Sequence, residues 1–139
     1  MVLATAAHLE RGYPYRPEST FSGNGASESG GIWNNNGATL TIKNSTFSDN
    51  YASYCGGICN LYTLTAQDSI FSGNKAHVGG GIVIFNEGTI TMEKSTFSGN
   101  SATSEGGGIF NFTGGMVTLT GVAFQNNIPN DCTGFPGLL

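Results

Sequence analysis

A phenylalanine followed three residues later by an asparagine recurs five times in this chain, at Phe21/Asn24, Phe47/Asn50, Phe71/Asn74, Phe97/Asn100 and Phe124/Asn127. Successive phenylalanines stand 26, 24, 26 and 27 residues apart, and four of the five pairs lie in near copies of Ser-Thr-Phe-Ser-Gly-Asn. Self-similarity at a fixed period in the twenties is the mark of a solenoid, in which each repeat is one unit stacked on the next. That period constrains the fold far more tightly than any single residue constrains the chemistry.

Alignment on the phenylalanines exposes two further elements in each repeat. One is Gly-Gly-Ile, at Gly30–Ile32, Gly56–Ile58, Gly80–Ile82 and Gly107–Ile109. The other alternates, as Thr39-Leu40-Thr41-Ile42, Thr63-Leu64-Thr65-Ala66, Thr89-Ile90-Thr91-Met92 and Met116-Val117-Thr118-Leu119. Three short extended stretches per repeat, separated by Gly or Asn, describe one turn of a three-sided parallel β-helix. The expected fold is therefore all-β, a right-handed three-sided parallel β-helix of four to five coils. Its repeats span residues 19–127. Residues 1–18 and 128–139, with Pro14, Pro17, Pro129 and Pro136, are expected to be irregular caps, because proline cannot donate to a strand ladder.

Stacking in register places like side chains above one another about 4.8 Å apart. Leu40, Leu64, Ile90 and Val117 are expected to form one inward ladder, with Ile42, Ala66, Met92 and Leu119 forming another. The Gly-Gly-Ile isoleucines form a third, and the five phenylalanines complete the wall. Asn24, Asn50, Asn74, Asn100 and Asn127 are expected at corners, since Asn tolerates the left-handed backbone and stacked amides hydrogen-bond from coil to coil. A partial second amide ladder is expected through Asn34, Asn60 and Asn111, broken in the third coil where Asn86 is displaced by two residues.

With both motifs in view, the chain resembles the GGxI/FxxN repeats of chlamydial polymorphic outer-membrane proteins. It is similar also to bacterial right-handed β-helix surface proteins built from such repeats, and the likeness covers about residues 19–132. The resemblance implies a secreted or cell-surface location and an adhesin-like or structural role, with a protein or glycan receptor as partner. The family's autotransporter barrel and anchor are not found in the sequence. Met1–Ala7 ends in small residues but lacks the basic start and the apolar stretch of a signal peptide.

Composition narrows the chemistry further. Charged residues make up only 10% of the chain and the net charge is −4, so there is no basic stripe to neutralise phosphates and no nucleic-acid partner is expected. The longest apolar run, Ile82–Phe85, is too short to span a bilayer, so no membrane insertion is expected. Polysaccharide-acting β-helices need clustered carboxylates, but Asp49, Asp68, Glu87 and Glu93 fall at different positions of the repeat. His77 reads as a loop residue. No catalytic residues, metal site or cofactor are expected, and an enzyme acting on polysaccharide is the weaker reading. Cys55 and Cys59 lie roughly 13 Å apart if the intervening chain is extended, which favours free thiols. A turn at Gly56-Gly57 would shorten that gap enough for a disulfide.

One surface remains. If Leu40 and Ile42 face inward, Thr39 and Thr41 face outward, as do Thr63, Thr65, Thr89, Thr91 and Thr118. Flat ranks of threonine of this kind resemble the ice-binding face of antifreeze solenoids. They are equally what β-propensity selects for exposed strand positions. Besides a structural or adhesin-like module, the sequence thus leaves open an ice-binding solenoid and, if the caps are poor, end-to-end self-association into filaments.

Overall fold

A computed structural model describes residues 7–9, 15–35, 37–85, 88–112 and 114–134. The described chain winds as stacked coils in which every strand pairs parallel with its counterpart one coil away. Three long sheets run the length of the stack. The Phe sheet contains Thr20–Ser22, Thr46–Ser48, Ile70–Ser72, Thr96–Ser98 and Ala123–Gln125. The Thr sheet contains Tyr15–Pro17, Thr39–Lys43, Thr63–Gln67, Thr89–Glu93 and Met116–Thr120. The Ile sheet contains Ala7–Leu9, Ile32–Asn34, Ile58–Asn60, Ile82–Ile84, Ile109–Asn111 and Cys132–Thr133.

The cross-section is more than a triangle. Lys75–Val78 pairs with Ser101–Glu105 in a short fourth sheet, and isolated bridges link Gly25 to Tyr51 and Tyr51 to Lys75. The segment between the Asn corner and Gly-Gly-Ile therefore folds as a fourth side in the middle coils. The polar–apolar alternation of Lys75–Val78 is not repeated in Ser101–Glu105, and the pairing shifts register between Ala76 and Val78, so periodicity alone does not mark it. His77 lies in this sheet rather than in a loop, with Nδ1 2.6 Å from Thr103 Oγ1.

The interior is a column of ladders. Leu40, Leu64 and Ile90 are fully buried, as are Ile42, Met92 and the isoleucines Ile32, Ile58, Ile82 and Ile109. The rings of Phe21, Phe47, Phe71 and Phe97 stack with centroids 4.8, 4.9 and 4.6 Å apart and nearly parallel planes. Phe124 adds a fifth at 5.1 Å. Offset aromatic pairs contribute roughly 0.5–1.5 kcal/mol beyond area burial, and here each inner ring has two such neighbours. Val117, Leu119, Val122 and Phe124 are only partly buried, because they belong to the last full coil.

The described parts of both end segments include strands. The first 18 residues supply two strands, Ala7–Leu9 and Tyr15–Pro17, paired with Ile32–Asn34 and Thr41–Lys43. Tyr15–Pro17 is the edge of its sheet, the position where proline is tolerated because no further strand needs its missing donor. At the other end Cys132–Thr133 continues the Ile sheet, with Cys132 in the isoleucine register. Residues 135–139, including Pro136, lie outside the described residues, as do Pro14 and Asn86.

The glycines of Gly-Gly-Ile serve coil spacing. A Cβ on Gly57 would lie 2.4 Å from the Gly81 carbonyl oxygen, and one on Gly81 would lie 2.4 Å from that of Gly108. Any side chain at these positions meets the backbone of the next coil, so the stack closes only if they are glycine.

Candidate functional site

The FxxN motif resolves into packing and hydrogen bonding. Asn50 donates from its backbone N and its Nδ2 to Asn74 Oδ1, at 3.1 and 2.9 Å. Asn74 does the same to Asn100, and Asn100 to Asn127. The Nδ2 of each also donates back one coil to a phenylalanine carbonyl, as in Asn74 to Phe47 at 2.9 Å. All five asparagines are buried. The side-chain amides of Asn50, Asn74 and Asn100 are consumed by neighbouring coils.

The left-handed conformation expected of these asparagines belongs instead to the residue before each. Gly23, Asp49, Gly73, Gly99 and Asn126 have φ between 55° and 64°. That residue turns the chain, and the turn swings the following Asn inward. The corner before the Phe sheet works alike: Glu18, Asn44, Asp68, Lys94 and Gly121 have positive φ. There the inward residue is serine. The Ser45 backbone N–H donates to Ser69 Oγ at 3.2 Å and that of Ser69 to Ser95 Oγ at 3.1 Å. Each of these hydroxyls donates to a carbonyl two residues back. The sequence carries this serine ladder as a Ser two residues before four of the five phenylalanines. The second amide ladder is short: Asn34 Nδ2 donates to Asn60 Oδ1 at 2.7 Å, and Ile84 then takes the register position between Asn60 and Asn111.

The ends of the main ladder differ. Asn127 Nδ2 donates to Asp131 Oδ1 at 2.9 Å, so the carboxylate stands in for a sixth asparagine. Asn24 Nδ2 is buried with no hydrogen-bond partner among the described residues.

The Thr sheet presents its columns as the alternation requires. Thr39, Thr63, Thr89 and Met116 are in one register column, and Thr41, Thr65, Thr91 and Thr118 in the next. All point away from the core: Thr39, Thr63, Thr65 and Thr118 are exposed, Thr41, Thr89 and Thr91 partly buried, and Met116 is 71% exposed. Lys43, Gln67, Glu93 and Thr120 form the adjoining column. The outer face of the Phe sheet is also hydroxyl-rich, with Thr20, Thr46 and Thr96 in one column and Ser22, Ser48, Ser72 and Ser98 in another.

The acids do not converge. Asp49 and Asp68 occupy exposed left-handed corners on either side of the Phe sheet, and Glu93 projects from the Thr sheet. Glu87 lies outside the described residues. Among the described residues no three His, Cys, Asp or Glu side chains form a group able to hold a metal. No helix among them is long and apolar enough to cross a membrane.

The Ile sheet holds what sequence reasoning missed. Its strands alternate Ile inward and the next residue outward, so Trp33, Cys59, Val83 and Phe110 form an outer apolar column in register. A satellite core covers this column, with Cys55, Cys59 and Val83 buried beneath Trp33, Leu61, Val78, Phe85 and Phe110. Cys55 and Cys59 are joined as a disulfide with Cα atoms 5.4 Å apart. The expectation of free thiols fails because Gly56 and Gly57 form the corner into the Ile sheet, so the chain between the cysteines is folded back, not extended. Glu28 lies against both: its carbonyl accepts from Cys55 N at 2.9 Å, and the disulfide sulfur of Cys59 lies 3.6 Å from the same oxygen. Above the disulfide, Glu28, Trp33, Tyr54, Cys59 and Phe85 line a cavity of about 310 Å³. The signal in the sequence is an apolar residue after every Gly-Gly-Ile.

Reduction of the disulfide is expected to lower stability by about 2 kcal/mol, the loop-closure entropy of so short a ring. A shift of the urea midpoint on adding a strong thiol reductant measures it. Cys132, the free cysteine, is buried, and that burial, reinforced by Asp131, pushes its thiol up to about 12 from an ordinary 9.0. A raised pKa favours the neutral thiol in the fold. Its contribution is complete below about pH 9 and is lost as pH rises towards 12.

No curated protein and no solved structure matches the chain. The family model for the right-handed β-helix region matches residues 9–128, which takes in every described strand from Tyr15–Pro17 to Ala123–Gln125. With stacked parallel strands, in-register ladders and that match together, the chain belongs to the right-handed β-helix family.

Proposed function

We propose that this chain is a non-catalytic, extracellular β-helix module of a bacterial surface protein, with a structural and adhesin-like role. The observation that carries the reading is the use of the repeated buried polar groups to hold coil to coil. The Asn and Ser ladders are spent internally, leaving an exterior of small hydroxyls and few charges for contact with a protein or glycan receptor. The Cys55–Cys59 disulfide supports an oxidising location. The scattered acids support a role without hydrolytic or lyase chemistry. Purified protein is expected to bind cell surfaces or surface glycans saturably while leaving polyuronates and neutral glycans uncut. Turnover of such a polymer at enzyme-like rates would overturn the reading.

Ice binding is the second reading, favoured by the two register columns of threonine on the Thr sheet. It predicts thermal hysteresis or inhibition of ice recrystallisation at sub-millimolar protein, lost in Thr65→Lys/Thr91→Lys. An inactive wild-type chain would remove it. The equal wealth of Thr and Ser on the Phe sheet exterior argues that hydroxyls mark exposed strand positions generally, so the structural reading is preferred. End-to-end self-association is a further proposal, motivated by the Asn24 amide and the partly exposed last coil. Sedimentation showing only monomers across concentrations would exclude it.

A further inference from the structure

We infer that the cavity above the Cys55–Cys59 disulfide is a binding site for a small organic cation of the quaternary ammonium class. Three aromatic residues of different kinds, Trp33, Tyr54 and Phe85, line it together with the carboxylate-bearing Glu28. They come from three successive coils, so the site exists only in the stacked solenoid. Ring faces carry negative quadrupole potential and attract a soft cation within about 6 Å of the centroid, most strongly when the cation is desolvated. Glu28, an exposed residue of the lining, brings one full negative charge to the site.

The composition of the walls selects among ligands. A sugar needs several donors and acceptors for its hydroxyls, and among the described residues of the lining Glu28 is the only one with a formal charge. An anion would face that carboxylate unpaired. Among the described residues no lysine or arginine lines the cavity. A trimethylammonium group asks for what is present, an apolar aromatic enclosure with one negative charge. The volume, about 310 Å³, lies at the small end of ligand pockets, in keeping with a headgroup-sized guest.

The site is also held in place. The Glu28 backbone is anchored by a hydrogen bond from Cys55 N, Ser29 pairs with Cys55 in an isolated bridge, and Trp33 and Phe85 pack on the satellite core. Tyr54 is 52% exposed and forms the outer wall.

The test uses Trp33, the single tryptophan of the chain, as reporter. Choline chloride is titrated at constant ionic strength beside 3,3-dimethylbutan-1-ol, its uncharged isostere, and methyl glucoside. Choline is expected to change the fluorescence saturably, and the isostere to bind at least about tenfold more weakly, the value of the cation–π and carboxylate contributions together. Glu28→Gln and Tyr54→Ala, both at exposed positions, are expected to weaken choline binding about threefold or more, with unchanged circular dichroism. No saturable response to choline, equal binding of the isostere, or preferential binding of the glucoside would each overturn the inference. The comparison of choline with its isostere is made on the unaltered protein, so misfolding of a variant leaves the test intact.

Discussion

Gly81→Ala is expected to destabilise the chain by about 3 kcal/mol or more, at the upper end for overpacking. The added methyl would lie 2.4 Å from the Gly108 carbonyl oxygen and 2.9 Å from Cδ1 of Phe97. The first of these contacts is backbone of the next coil, which moves only if the coil spacing opens. Opening it would stretch the Ile-sheet hydrogen bonds on that side, including Ile82 N to Gly108 O at 2.9 Å. Gly99→Ala provides the contrast. Gly99 has φ +62°, but a methyl there would meet nothing within 4 Å, so its cost is only the conformational penalty of a left-handed residue, about 1–2 kcal/mol. Urea denaturation of both variants separates the two roles of glycine in one fold. Equal losses would mean that coil spacing is not what the Gly-Gly pair protects.

Asn74→Ala is expected to cost about 3–5 kcal/mol, among the largest single effects in the chain. It strips the acceptor from Asn50 N and Nδ2 and the donor from the Phe47 carbonyl and Asn100 Oδ1. Asn50 and Asn74 are fully buried, so water does not replace these partners, and each orphaned group costs roughly 1–3 kcal/mol. Asn24→Ala is expected to cost far less, about 1 kcal/mol or below, since its Nδ2 has no partner to lose among the described residues. The same denaturation experiment reads the difference. If the two variants lose equal stability, the ladder is not a cooperative brace running through the stack.

Much of this architecture is legible in the sequence, for a physical reason. In a solenoid each coil sees nearly the same environment, so packing demands are written once per repeat and alignment within one chain reveals them. That is why the inward ladders through Leu64 and Ile90, the aromatic wall and the asparagine stack can be placed by residue number. What departs from the period is harder to read. The fourth side around Lys75–Val78 pairs with an irregular register, and its alternation is not repeated in Ser101–Glu105. The terminal strands Ala7–Leu9 and Cys132–Thr133 lie in segments without the motifs, yet pair because a neighbouring edge is available. The left-handed positions fall one residue earlier than the motif suggests, because the side chain that stands out, asparagine, is not the residue that makes the turn. The disulfide and the aromatic cavity escape the repeat because they lie outside the coil, where it imposes no identity. Cys59 shares a register column with Trp33 and Val83, and only the shared column shows that these unlike residues belong together.

The central claim is that the Phe-x-x-Asn beat is an internal brace and not a set of ligand-binding amides. Hydrogen exchange of the asparagine side-chain amides tests it most directly. The Nδ2 protons of Asn50, Asn74 and Asn100 are predicted to exchange with the slowest, globally unfolding class, alongside the backbone amides of the same residues. Exchange of these side-chain protons at the rate of free amides in a folded chain would contradict the account.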